Sequence, residues 1–131
     1  AAMSVLEFRV VLTVQDWEAA VAFYRDGLGL DTGPAFSNGG QGQLFAAGPS
    51  QLELFDEGQA AGIDEIEVGQ RSSGQIRFAF QLPDLDAALE RSLAYGASLV
   101  HAPVETPWGH RSARVLSPEG LQVTLYEGEE H

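Results

Sequence analysis

The chain is expected to adopt an α+β fold of two tandem βαβββ modules, and three observations support this. Phe8-Arg9-Val10-Val11-Leu12-Thr13-Val14-Gln15-Asp16 returns 68 residues later as Ile76-Arg77-Phe78-Ala79-Phe80-Gln81-Leu82-Pro83-Asp84. Each copy is an alternating strand that ends on an Asp and runs into an amphipathic helix. The ends of the two halves also match, Gln51-Leu52-Glu53-Leu54-Phe55 against Gln122-Val123-Thr124-Leu125-Tyr126.

The elements follow in order. In the first strand Val10, Leu12 and Val14 face one way and Arg9, Val11 and Thr13 the other. Asp16 is a good N-cap, and Glu18 in the first turn suits the helix dipole. Trp17, Ala20, Val21 and Tyr24 then make one apolar stripe at i, i+3, i+4 and i+7, and Gly27 or Gly29 stops the helix. After a turn around Asn38-Gly39-Gly40 come strands near Gln43–Ala47 and Gln51–Asp56, joined by Gly48-Pro49-Ser50. Residues 57–74 show no sustained periodicity and read as a linker between a first module over 4–56 and a second over 75–128. The second module opens with a strand over Gln75–Leu82 and the N-cap Asp84. A helix with Leu85, Ala88, Leu89 and Ser92 on its buried stripe follows and ends at Gly96. Strands are expected near Ser98–His101, Arg111–Leu116 and Leu121–Glu127, with Ser117-Pro118-Glu119-Gly120 as a turn.

Composition narrows the function. At 131 residues, with 44% apolar and 20% charged, the chain can build one core as a single structural domain. No apolar run approaches the roughly 20 residues of a membrane span. No basic-then-apolar signal segment opens the sequence. The absence of Cys excludes disulfides and thiolate chemistry, and with no such segments it suggests a cytoplasmic protein. Nineteen acidic against seven basic residues give a net charge of −12. Nucleic acid and anionic membranes are therefore disfavoured as partners. Much of the acid is concentrated in Glu53, Asp56, Glu57, Asp64, Glu65 and Glu67, which reads as a solvated loop or as a field for cationic ligands.

Local motifs carry a more specific resemblance. Phe23-Tyr24-Arg25-Asp26-Gly27-Leu28-Gly29-Leu30 looks like an aromatic-pair helix end with a Leu-Gly stop. Trp108-Gly109-His110-Arg111, then Ser117-Pro118-Glu119-Gly120 and the closing Leu121–Glu127, look like a second-module signature, with Ser117 where Asp is usual. In this ordered set the chain resembles the vicinal oxygen chelate superfamily, which includes glyoxalase I, the bleomycin-resistance proteins and extradiol dioxygenases. The resemblance implies curved mixed sheets forming cups, paired within the chain or by exchange between two chains. It also implies a homodimer, because a lone module leaves an open edge and half a cup.

Metal-using members of that family take one ligand from the first and one from the last strand of each module, drawn from His, Glu and Gln. Carried over by position, these are Arg9, Glu53, Arg77 and Thr124, of which only Glu53 matches. A guanidinium stays protonated and has no lone pair for a cation. His101, His110 and His131 fall at none of the four positions. No metal and no cofactor are therefore expected, and the resemblance points toward the metal-free bleomycin-resistance-like branch.

The same four residues are expected to converge on a cup floor, with Phe55, Tyr126 and Trp108 as walls and His110 beside them as a ligand-binding residue. Two Arg against one Glu leave that floor at about +1, suited to a carboxylate, phenolate or carbonyl. Alternatively Arg9, Glu53 and Arg77 form a structural ion pair with one Arg solvated. Three functions remain open. One is a metal-free protein that sequesters an aromatic or polycyclic, antibiotic-like compound. The second is an enzyme of the same fold: a lyase, isomerase or oxygenase, metal-dependent or using Glu53 or His110 in acid–base chemistry. The third is a partner-binding module without a small ligand. No catalytic residue is assigned.

Overall fold

Asp16 and Asp84 cap the two repeated helices, their side chains accepting from the N–H groups of Ala19 and Ala87. The computed structural model describes residues 5–128. In order these form β1 (Glu7–Thr13), α1 (Trp17–Ala22), β2 (Asp31–Phe36), β3 (Gly42–Ala47), β4 (Ser50–Phe55), α2 (Glu57–Glu67), β5 (Ile76–Gln81), α3 (Leu85–Ala94), β6 (Ser98–Glu105), β7 (Arg111–Leu116) and β8 (Gln122–Glu127). A π turn over Phe23–Gly27 extends α1, and Gly29, at φ 74°, takes the left-handed conformation that ends it. The fold is α+β, as expected from the repeat. The expected strands omitted β2, whose residues are almost all exposed and show no alternation.

The modules join within the chain. One open, curved eight-stranded sheet runs β2-β3-β4-β1-β5-β8-β7-β6. In each module the first strand lies parallel to the last, β1 to β4 and β5 to β8, while β1 and β5 pair antiparallel at the centre. Each module thus covers the inner edge of the other. The outer edges are β2 and β6; each holds a Pro, Pro34 or Pro103, and each has register irregularities. Both devices hinder further strand pairing.

The segment read as a linker over 57–74 holds a helix at Glu57–Glu67, where no sustained periodicity was seen in the sequence. Asp56 caps α2 by accepting from the N–H of Gln59, and α2 lies on the cup face rather than beside it. Its buried positions include Ala60, Ile63, Asp64 and Glu67. This spacing is helical, but two of the four are acids, so hydrophobic periodicity alone cannot reveal it. Ala60 and Ile63 pack with Val11, Phe55, Ala79 and Tyr126 to form the cup-side core. On the opposite face Leu85 and Ala88 of α3 pack on Leu82, Ala113 and Leu125.

Candidate functional site

Strand register assembles the floor. Across β1 and β5, Val11 stands opposite Arg77 and Arg9 opposite Ala79; alongside them Val11 neighbours Glu53 and Ala79 neighbours Thr124. The two-residue period then brings Arg9, Glu53, Arg77 and Thr124 out on one face. All four line a single cavity of about 340 Å³ and are less than a tenth exposed. Phe55, Tyr126, Trp108 and His110 line it too, so the structure brings together all eight residues singled out from the sequence. Sequence reasoning missed Glu67 and Ile63 of α2, Phe36 at the end of β2, and Ser112 of β7. Ser112 alternates correctly with Arg114 along β7 and could have been found by strand parity. Glu67 could not, because its place depends on α2 folding over the sheet.

The two floor arginines differ in their partners. Arg9 pairs with Glu7 and, at 3.4 Å, with Glu53. Glu7 also accepts from Gln51 and from the Tyr126 hydroxyl at 2.6 Å. Burial pushes the Glu53 carboxyl above the usual carboxylate range, although Arg9 and Arg77 pull the other way. Arg77 has no carboxylate within ion-pair distance among the described residues. Its one hydrogen bond, at 2.6 Å, is donated to the neutral Thr124 hydroxyl, and its guanidinium lies 5.9 Å over the Phe55 ring. Burial, then the nearby Arg114, lower its affinity for its proton.

Alpha-2 adds acid to the site, so the expected +1 floor needs correction. Arg9 and Arg77 are matched in the lining by Glu53 and Glu67, which makes the formal charge zero. Glu67 is held by Arg114 at 2.7 Å, and Asp64 by Arg114 at 2.6 Å and Arg71 at 3.0 Å. Direct pairing thus gathers the acid around Arg9 and Arg114, and Arg77 stands between these groups.

His110 is oriented by a tight turn in which its N–H donates to Thr106 Oγ1 and its carbonyl accepts from the Thr106 N–H. Its ring stacks on Tyr126 with centroids 4.7 Å apart. Trp108 Nε1–H donates to His110 Nδ1 at 3.1 Å. An indole N–H can only donate, so Nδ1 accepts and the imidazole proton sits on Nε2. The ring nitrogen that could take a proton is therefore engaged, which counts against His110 as a general base. His101 stands apart, 3.9 Å from Glu67 and outside the cavity lining. His131 lies outside the described residues.

The catalytic metal of metal-using relatives does not fit these donors. A divalent ion at the four strand positions would meet one carboxylate, one hydroxyl and two guanidinium cations. Among the described residues no three His, Asp or Glu side chains gather as a ligand set.

Comparison with known proteins agrees with the geometry. A hypothetical protein of Bacillus halodurans matches with TM-score 0.71 at 16% identity, over 100% of this chain and 98% of that one. A glyoxalase/bleomycin resistance protein/dioxygenase superfamily member of Vibrio splendidus matches with TM-score 0.67 at 14% identity, over 96% and 99%. Methylmalonyl-CoA epimerase of Mycobacterium tuberculosis matches with TM-score 0.68 at 22% identity, over 98% and 92%. At such identities the likeness is one of fold. No match was found among curated proteins. The sequence profile of one family covers residues 8–125, nearly both modules. With the paired βαβββ units and the cup between them, that match places the chain in the glyoxalase/bleomycin resistance protein/dioxygenase superfamily.

Proposed function

We propose that the chain is a metal-free binding protein that holds a small aromatic molecule in its cup. The observation that carries this reading is the cavity itself. It has aromatic walls from Phe36, Phe55, Trp108 and Tyr126 and a floor of arginines where a metal enzyme needs ligands. Its volume of about 340 Å³ lies at the low end of ligand pockets. That suits one or two fused rings better than a large antibiotic. Purified protein incubated with zinc, nickel, manganese or iron and then desalted should keep well under one equivalent. A stoichiometric ion coordinated by Glu53 would overturn the reading.

A second reading, metal-free acid–base catalysis, is favoured by one feature. Glu53 is a buried carboxyl with raised proton affinity, the property a general acid or base needs near neutrality. Chemical turnover of a bound aromatic, lost in Glu53→Gln, would favour the enzyme. Binding without turnover supports sequestration. We place the protein in the cytoplasm as a homodimer, in keeping with its lack of Cys and with apolar side chains on the face away from the cup. Among the described residues no helix is long and apolar enough to cross a membrane.

A further inference from the structure

On one side of the cavity, buried hydrogen-bonding groups go unsatisfied among the described residues. Arg77 is 5% exposed, and its Nε has no hydrogen-bond partner among the described residues. Ser112 is 1% exposed, and its hydroxyl likewise has no partner. Thr124 spends a lone pair on Arg77, and its own O–H donates to no group among the described residues. These three groups line one side of the floor, where β5, β8 and β7 lie side by side, with no acceptor for their protons among the described residues. Leaving buried donors unsatisfied is costly, and an unpaired buried cation costs more. Elsewhere around the floor the arginines have direct carboxylate partners, Arg9 in Glu7 and Glu53 and Arg114 in Asp64 and Glu67, although Arg114 Nε also lacks an acceptor among the described residues.

We infer that Arg77, Thr124 and Ser112 form a seat for the carboxylate of a planar aromatic acid whose ring lies against Phe55, Trp108 and Tyr126. The inference rests on the proposed reading of the cup as a small-molecule site and names the class of ligand. A planar oxyanion accepts from several donors at once and would give Arg77 the direct carboxylate contact it lacks among the described residues. An ammonium could donate only to the two hydroxyls and would stand beside the Arg77 guanidinium, which repels it. The −12 charge of the whole chain does not oppose an anion here, because the acids near the floor are already held by Arg9 and Arg114.

Three probes of one shape separate the possibilities: 2-naphthoate, 2-naphthamide and 2-naphthylmethylammonium, each titrated calorimetrically into the full chain. Naphthoate should bind about 10- to 100-fold tighter than the amide, the range expected for charge-assisted hydrogen bonds, and the ammonium should bind weakest. The Arg77 Nε proton should move further downfield with naphthoate than with the amide. Ser112→Ala and Thr124→Val should each weaken naphthoate several-fold. Equal affinity for all three probes, or a preference for the ammonium, overturns the seat while the cup reading stands. If none of the three binds at millimolar concentration, the seat and the cup reading both fall. The proton shift is read on the unaltered protein, so a poorly folding variant cannot mask the result.

Discussion

At the scale of single residues, the division between Arg9 and Arg77 is the main result. Both are buried arginines at matching places in the repeat, yet Arg9 meets two carboxylates and Arg77 a hydroxyl and an aromatic ring. Their removal should therefore fail in different ways. Arg9→Ala leaves Glu7 and Glu53 without their cation and should cost roughly 3–5 kcal/mol of stability, as breaking a buried pair does. Arg77→Ala leaves no carboxylate stranded. It should cost little stability, but it should weaken an acidic aromatic by about 1.5–3 kcal/mol. Denaturation midpoints and ligand titrations on both variants test this, and a large stability loss in Arg77→Ala with affinity intact would reverse the assignment. On the proposed reading, the alternatives left open by the sequence, ligand anchor and structural pair, fall to two different residues.

At the scale of elements, α2 is the part that holds the cup together. Asp64 lies at its centre, accepting from Arg114, Arg71 and the N–H groups of Ser72 and Ser73. Burial alone would raise its pKa, but these hydrogen bonds outweigh burial and hold the carboxyl at about 2. Because this is below the ordinary value of about 3.9, Asp64 stabilises the fold above pH 4 and loses that contribution as pH falls through 2. The contribution is about 2.5 kcal/mol. A carbon-13 titration of the Asp64 carboxyl should show a midpoint near 2; one near 4 would mean that the clasp is open in solution. Gly62 sets how closely α2 approaches the loop after β2. A Cβ there would lie 1.6 Å from the Asn38 carbonyl oxygen. Gly→Ala in an exposed helix gains up to about 1 kcal/mol, but here the clash with backbone decides the sign. Gly62→Ala should destabilise by roughly 1–3 kcal/mol in a denaturant titration. Gly74→Ala, which meets nothing within 4 Å, serves as a near-neutral control.

At the scale of the whole molecule, the fold closes its inner edges by itself. The reason first given for a dimer, an open edge on each module, is met within the chain by β1 and β5. What remains is apolar side chains on the face away from the cup. Leu6 and Ile76 are 60% and 43% exposed, beside the half-buried Phe8, Phe78 and Phe80. A homodimer should therefore pair through this face and not through the Pro-bearing outer strands. Sedimentation should show a dimer at micromolar concentration that Ile76→Ser weakens. A stable monomer in the unaltered protein would reject it.

The convergence of Arg9, Glu53, Arg77 and Thr124 was legible only through the family resemblance; the duplicated strand-to-Asp-to-helix pattern by itself determined the two-module plan, the N-caps at Asp16 and Asp84, and which strand residues share a face. These follow from period-2 alternation and local capping, which are properties of short segments. Tertiary structure decided what depends on distant partners. Alpha-2 was not legible because its buried stripe is half acidic, and Asp64 and Glu67 are stable there only because Arg114, about 50 residues away in sequence, meets them. Beta-2 was not legible because an exposed edge strand needs no apolar alternation. The charge of the floor also had to wait for the fold. Coulombic neutrality is a property of groups close in space, and Glu67 joins the cup only when the helix carrying it packs across the sheet.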